Sequence, residues 1–250
     1  MDHWSRAATR RDLLAGTIAA TFLLLLKQSD AVELHGLPAW DPQESSPPEI
    51  VRPGPWHFFS PEEGADVEAL VDRLIPPDPQ WAGGKDAGCA VYIDRQLAGP
   101  YGSSRGLYMR PPFRDGDKQQ GPQSPLTPAM RYRQALAALD KYCRQRFAGK
   151  PFAQIPADQQ DSVITGLEKG SVQLPGASGH AFFDLLVKNT QEGFFADPIY
   201  GGNKDMVGWK MIGFPGARYD YRDWLEHHNQ KYPRPPVSIG GRPEWTVHSS

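Results

Sequence analysis

Three groupings in this chain have the residue types and spacing that chemistry needs: paired carboxylates, clustered histidines and two cysteines. Glu62-Glu63 could divide general acid and base roles, as neighbouring carboxyls in unlike environments do. They also follow Ser60-Pro61, where Ser60 caps a helix, Pro61 takes its first position and Glu63 completes a capping box. Helix-start chemistry accounts for both glutamates. Glu226-His227-His228 has metal-ligating types, but adjacent side chains on a helix point about 100° apart, which suits a single ion poorly. The two histidines read as surface residues, and His180, beside Ser178-Gly179, as structural or interfacial. Ser162, Ser171 and Ser178 lack nucleophile-elbow surroundings. No Gly-x-Gly-x-x-Gly occurs in a strand–turn–helix setting, and Gly201-Gly202-Asn203 reads as a turn rather than a phosphate cradle. The chain is expected to have no catalytic residue, no metal site and no cofactor site of its own.

Cys89 and Cys143 are the two cysteines. Without Cys-x-x-Cys-His there is no covalent haem attachment, and two thiolates cannot hold a four-thiolate cluster. Three readings stay open for the pair: an intrachain disulfide, two buried thiols, or one thiol bonded to another subunit. The first needs an oxidising compartment; it would close a loop of about 55 residues, worth about 4 kcal/mol if unstrained.

The elements that must position these residues are helical. Val67, Leu70, Val71, Leu74 and Ile75 continue from Ser60-Pro61 at helical spacing, and Pro76-Pro77 stops the run. A second helix is predicted over 86–97, with Ala90, Val91, Ile93 and Leu97 inward and Gly99-Pro100 after it. Thr127-Pro128 opens the strongest helix, to about residue 147, with Leu136, Leu139, Cys143 and Phe147 on one stripe and Gly149 past its end. Further helices are predicted over 157–169 (Val163, Ile164 and Leu167 inward) and 179–191 (Phe182, Phe183, Leu185, Leu186 and Val187 burying much of the surface). Residues 101–126 lack periodicity and are too long for a simple connector, so they form a partner-facing loop or remain unstructured. No run alternates like a strand and no fixed-period repeat occurs. The predicted fold class is mainly α, an irregular helical domain with long Pro/Gly-rich loops and extended terminal segments. Pro and Gly, 25 each, supply those loops.

The N-terminus has its own pattern. Thr9-Arg10-Arg11-Asp12-Leu13-Leu14 precedes an apolar run ending at Leu26. As a helix that run would rise about 21 Å, short of a ~30 Å hydrocarbon core. It resembles a twin-arginine export signal, with Arg10, Arg11, Leu13 and Leu14 at its centre and cleavage after Ala31; the alternatives are an ordinary secretory signal with two adjacent arginines and an uncleaved anchor. Twin-arginine signals carry proteins that must fold before crossing. The predicted organisation is a signal at 1–31, a proline-rich arm at 32–57, a helical domain at 58–228 and a proline-rich tail at 229–250. The part of it after Tyr232 could reach about 60 Å over a partner at ~3.3 Å per residue, or be disordered. The formal charge is −2, which excludes nucleic acid and an anionic membrane surface as evident partners.

The segment from Glu192 to Asn203 and on through Val207 to Gly216 alternates turn-forming glycines with large aromatics. Glycines permit positive φ and close backbone approach, and the aromatics supply area to bury. Aromatics anchor interfaces, so this block is expected to divide between the chain's own core and a partner. The candidate interface is Phe195, Tyr200, Gly201, Gly202, Asn203, Trp209, Phe214 and Pro215. Tyr219, Tyr221 and Trp224 extend the aromatic set. Asp94 and Asp197 read as local caps or pairs, with Asp94-Arg95 available to an interface.

This block closely resembles the small (gamma) subunit of gluconate 2-dehydrogenase, the subunit 3 family. Phe58-Phe59-Ser60-Pro61-Glu62, Val71-Asp72-Arg73-Leu74-Ile75-Pro76 and Tyr92-Ile93-Asp94-Arg95-Gln96-Leu97-Ala98-Gly99-Pro100-Tyr101-Gly102 add to the resemblance. It implies a subunit that travels with a large flavoprotein of the glucose–methanol–choline type, which binds FAD and oxidises a sugar or sugar acid. It also implies a cytochrome c subunit that carries haem c, makes the main membrane contact and passes electrons to the quinone pool. The small subunit would have no cofactor; it would supply the signal read by the twin-arginine translocon and support maturation of the flavoprotein. The implied location is the periplasm, peripheral to the inner membrane. Rival expectations are a transient export chaperone and a stand-alone exported enzyme.

Overall fold

The computed structural model describes residues 50–240 apart from 53, 115, 121–122 and 218–220. The twin-arginine segment with Arg10, Arg11, Leu13 and Leu14, nearly all of the proline-rich arm, Tyr219 and the last ten residues lie outside the described residues. Six α-helices form the body: α1 (Pro61–Leu74), α2 (Cys89–Ala98), α3 (Pro128–Arg146), α4 (Ala157–Glu168), α5 (Gly179–Phe195) and α6 (Val207–Ile212). Strands are absent among the described residues, where only isolated bridges join Leu174 to Ala177 and Gly216 to Val237. None of these helices is long and apolar enough to cross a membrane.

The helices begin where local chemistry starts them. At α1, Ser60 Oγ accepts from the Glu63 amide (3.2 Å) and Glu63 Oε2 accepts from the Ser60 amide (2.8 Å), the reciprocal capping box. Thr127 caps α3 and Ser178 caps α5 through their hydroxyls. Gly88 at φ 80° opens α2, three residues later than predicted, because residues 84–88 form turns before the helix.

α5 is the hub and packs against each of the other five helices. Its buried face is Gly179, Phe182, Leu186, Asn189, Thr190, Gly193 and Phe194. Gly193 lets α2 approach closely: a Cβ there would lie 3.1 Å from the Tyr92 ring. The edge-to-face pair Tyr132–Phe182, with Phe59 tilted against Tyr132, fills the centre. Its polar edge is satisfied, since the hydroxyls of Tyr132 (3.0 Å) and Tyr101 (3.3 Å) both reach Asn189 Oδ1. Asn189 Nδ2 in turn donates to Glu192 Oε2 (2.9 Å).

Asp94 differs from the sequence reading. Its carboxylate is fully buried and accepts from the amides of His57 (2.8 Å), Phe58 (2.9 Å) and Phe59 (2.9 Å). It also pairs with Arg95. This pair pins the entry to α1 inside the chain and is not offered to a partner. Residues 101–126 divide. The turn after α2 is anchored, with Gly102 N–H on Gln96 O (3.1 Å) and Ser104 buried, whereas Leu107 and Tyr108 stand 69% and 82% exposed.

Candidate functional site

The glycine–aromatic block is built on the end of α5, which runs four residues past its predicted end, to Phe195. Asp197 then caps a 3-10 turn, Pro198–Tyr200, by accepting from the Ile199 amide (3.0 Å). Gly201 turns the chain at φ 92°, and Asn203 follows at φ 47°. Asn203 holds both limbs: Nδ2 donates to Ala196 O (2.8 Å) and Oδ1 accepts from the Gly208 amide (2.8 Å). α6 comes next, and the Trp209 indole donates to Phe195 O (2.8 Å). The glycines here are contact points. A Cβ on Gly202 would lie 2.2 Å from Gly193 O, and one on Gly208 2.2 Å from Phe194 O.

Of the eight candidate interface residues, three are committed to the chain's own fold. Asn203, Gly202 and Trp209 are buried because they brace α6 against α5, and this corrects their assignment to a partner surface. Tyr200, Gly201 and Pro215 are half-buried. Phe195 and Phe214 are 40% and 44% exposed, each held edge-on by a neighbour, Phe194 and Trp209 respectively. Met211, Ile212 and Leu225 are also exposed and were not foreseen. The helix inside the block is not legible in the sequence, since six residues, Gly208 among them, are too short a run to show a period. Beside α6 lies a cleft of about 650 Å³ whose walls include Lys210, Met211, Ile212, Tyr221, Trp224 and Tyr232.

The C-terminal tail, read as either an extension over a partner or a disordered segment, is held against the block as far as residue 240. Val237 N–H donates to Pro215 O (3.2 Å) and Ala217 N–H to Val237 O (2.7 Å). Ser238 Oγ (2.6 Å) and the Ile239 amide (2.7 Å) both donate to Asp197.

Several groups that could do chemistry are taken up by local structure. Cys89 and Cys143 are free and buried, so the structure holds two buried thiols and not the disulfide. Burial pushes both thiols up to about 12, where neither is a nucleophile at neutral pH. Glu63 is in the capping box and pairs with Arg133. His180 lies 3.6 Å from Asp184 on the surface, and His227 stacks on Trp224 at 4.1 Å. Among the described residues no three His, Cys, Asp or Glu side chains gather as a metal site. Burial raises the Asp66 carboxyl to about 6, against the opposing Ala153 N–H (2.8 Å). What the geometry provides is a braced block that carries exposed apolar side chains.

The family model for gluconate 2-dehydrogenase subunit 3 matches residues 61–216, from the first residue of α1 to the glycine that meets the tail. No curated protein and no solved structure matches the chain. With more than half of its length matched, and the braced block inside the match, the chain belongs to the gluconate 2-dehydrogenase subunit 3 family.

Proposed function

We propose that this chain is the non-catalytic small subunit of a periplasmic FAD-dependent dehydrogenase complex of the gluconate 2-dehydrogenase type. In this reading a flavoprotein large subunit binds FAD and the substrate, and a cytochrome c subunit takes the electrons and holds the complex at the membrane. The small subunit contributes the twin-arginine signal around Arg10-Arg11 and supports flavoprotein maturation. Gluconate, oxidised to 2-ketogluconate, is the leading substrate by family, and its recognition belongs to the large subunit.

The observation that carries the reading is the exposure of two large aromatics, Phe195 and Phe214, within the matched family block. Apolar patches on small proteins mark contact sites, and aromatic anchors dominate their energetics.

The test is to express the flavoprotein with and without this chain, then measure FAD content, complex mass and dye-linked activity on gluconate and several sugars. A stoichiometric complex, with FAD incorporation dependent on this chain, is expected. A flavoprotein that is exported, loaded and active alone overturns the proposal. Arg10→Lys/Arg11→Lys should leave both proteins in the cytosol, and independent export of the flavoprotein would refute a shared signal.

A further inference from the structure

The cleft beside α6 has a defined chemistry. Tyr221, Trp224 and Tyr232 form an aromatic wall, with Tyr232 edge-on to Tyr221 (5.6 Å) and to Trp224 (5.8 Å). Lys210 and Lys231 are among its lining residues, and no carboxylate is among the described ones. The Trp224 indole N–H is buried without an acceptor among the described residues. An unmet buried donor is costly, so the site fits an occupant that brings a carbonyl. An extended proline-rich strand has that property, because its backbone carbonyls make no internal hydrogen bonds and aromatic grooves accept its rings.

This chain contains a sequence of that composition. Between Lys27 and Arg52 there is no Lys or Arg, but there are Asp30, Glu33, Asp41, Glu44 and Glu49, along with Pro38, Pro42, Pro47 and Pro48. The segment ends where the described fold begins. The Val51 amide donates to Ile199 O (2.9 Å), and Ile50 lies against Gly240. Three residues back along the tail, about 10 Å, Val237 is hydrogen-bonded to Pro215, which lines the cleft. From residue 50 back to residue 42, an extended strand spans about 25 Å, enough to cross the cleft.

We propose that the cleft is the docking site for the last part of this chain's own acidic, proline-rich arm, residues 42–49, with prolines on the aromatic wall and carboxylates at Lys210 and Lys231. Those arm residues lie outside the described residues, and the chain re-enters at residue 50. Docking ties the arm to the glycine–aromatic block, and it does not depend on which dehydrogenase the chain serves.

Carbodiimide coupling of the full-length chain at low concentration, followed by peptide mapping, tests this. It joins a carboxylate to an ammonium group only where they touch. Amide links from Glu44 or Glu49 to Lys210 or Lys231, in excess over links to other lysines, are expected. Trp224→Phe keeps the ring and loses the N–H, and should lower the yield about 3- to 10-fold while the circular dichroism spectrum is unchanged. Raising salt to about 1 M should lower it further. Arm links spread evenly over all lysines would overturn the proposal, as would a folded Trp224→Phe chain that couples as well as the parent. In mixed isotope-labelled samples, links only between copies would overturn it in favour of a second copy. Protection of Lys210 and Lys231 from acetylation only in the presence of the flavoprotein would overturn it in favour of that partner.

Discussion

Asn203 shows how one side chain can hold a functional block together. It is fully buried, occupies the left-handed region at φ 47°, and bridges Ala196 and Gly208 through both ends of its amide. Asparagine tolerates that backbone better than most residues. Asn203→Ala removes both bonds and adds backbone strain, so a loss of about 2–4 kcal/mol in urea unfolding is expected. Asp66 sets a different kind of response. The folded carboxyl titrates at about 6 and the unfolded one near 3.8. Between those values the folded protein holds a proton that the unfolded chain lacks, so this group's stabilising contribution is full below about 3.8 and is lost as pH rises through 6. Asp66→Asn should remove that slope and raise stability at pH 7 by at most about 3 kcal/mol, less what solvent screening removes, read from denaturation midpoints between about pH 4 and pH 7. An unchanged slope would exclude Asp66 as its source.

The helices owe their ends to local signals and their positions to the core. Ser60→Ala takes one half of the capping box from α1 and should cost about 1 kcal/mol, with Ser60→Asp restoring most of it. The expected measurement is a lower midpoint for the alanine variant at unchanged folded helix content. α5 is more demanding, because small residues at Gly179 and Gly193 set its distance from its neighbours. Its extension to Phe195 presents the carbonyls of Phe194 and Phe195 to the returning chain, and Trp209 takes the second of them. α6 is short and would not form in isolation; Asn203 and Trp209 hold it in place. Phe195 and Phe214 therefore emerge on a fixed scaffold.

At the scale of the whole molecule, the described fold encloses one helical core and leaves Phe195, Met211, Ile212 and Phe214 exposed on or beside α6. Phe195→Lys/Phe214→Lys removes two edge-to-face ring contacts while the lysine stems keep some apolar cover, and should cost about 1–2 kcal/mol of stability. The same pair should weaken association with the flavoprotein more than about tenfold, measured by co-purification and light scattering. Intact association would place the contact elsewhere, with Leu107 and Tyr108 the next exposed residues to test. The tail behaves unlike a free extension, since Asp197 and Pro215 hold it to the block through residue 239.

Local chemistry alone made much of this protein legible. The capping box at Ser60, the cap at Thr127, the proline stop after Ile75 and the apolar spacing of the five longer helices each act within a few residues, so spacing in the sequence registers them. The glycine–aromatic pattern likewise exposed the family, because close backbone approach demands glycine at fixed places. The division of that block between core and surface was not legible. Trp209 and Phe214 are equally aromatic, yet one is buried and the other half-exposed, because Trp209 alone has an N–H that reaches Phe195 O. Asp94 and Asp197 looked like local caps. Only the tertiary structure showed that Asp94 collects amides 35 to 37 residues away and Asp197 groups 41 and 42 residues away. Contacts at such separations depend on how the helices cross, and the residues themselves carry no periodic mark of them.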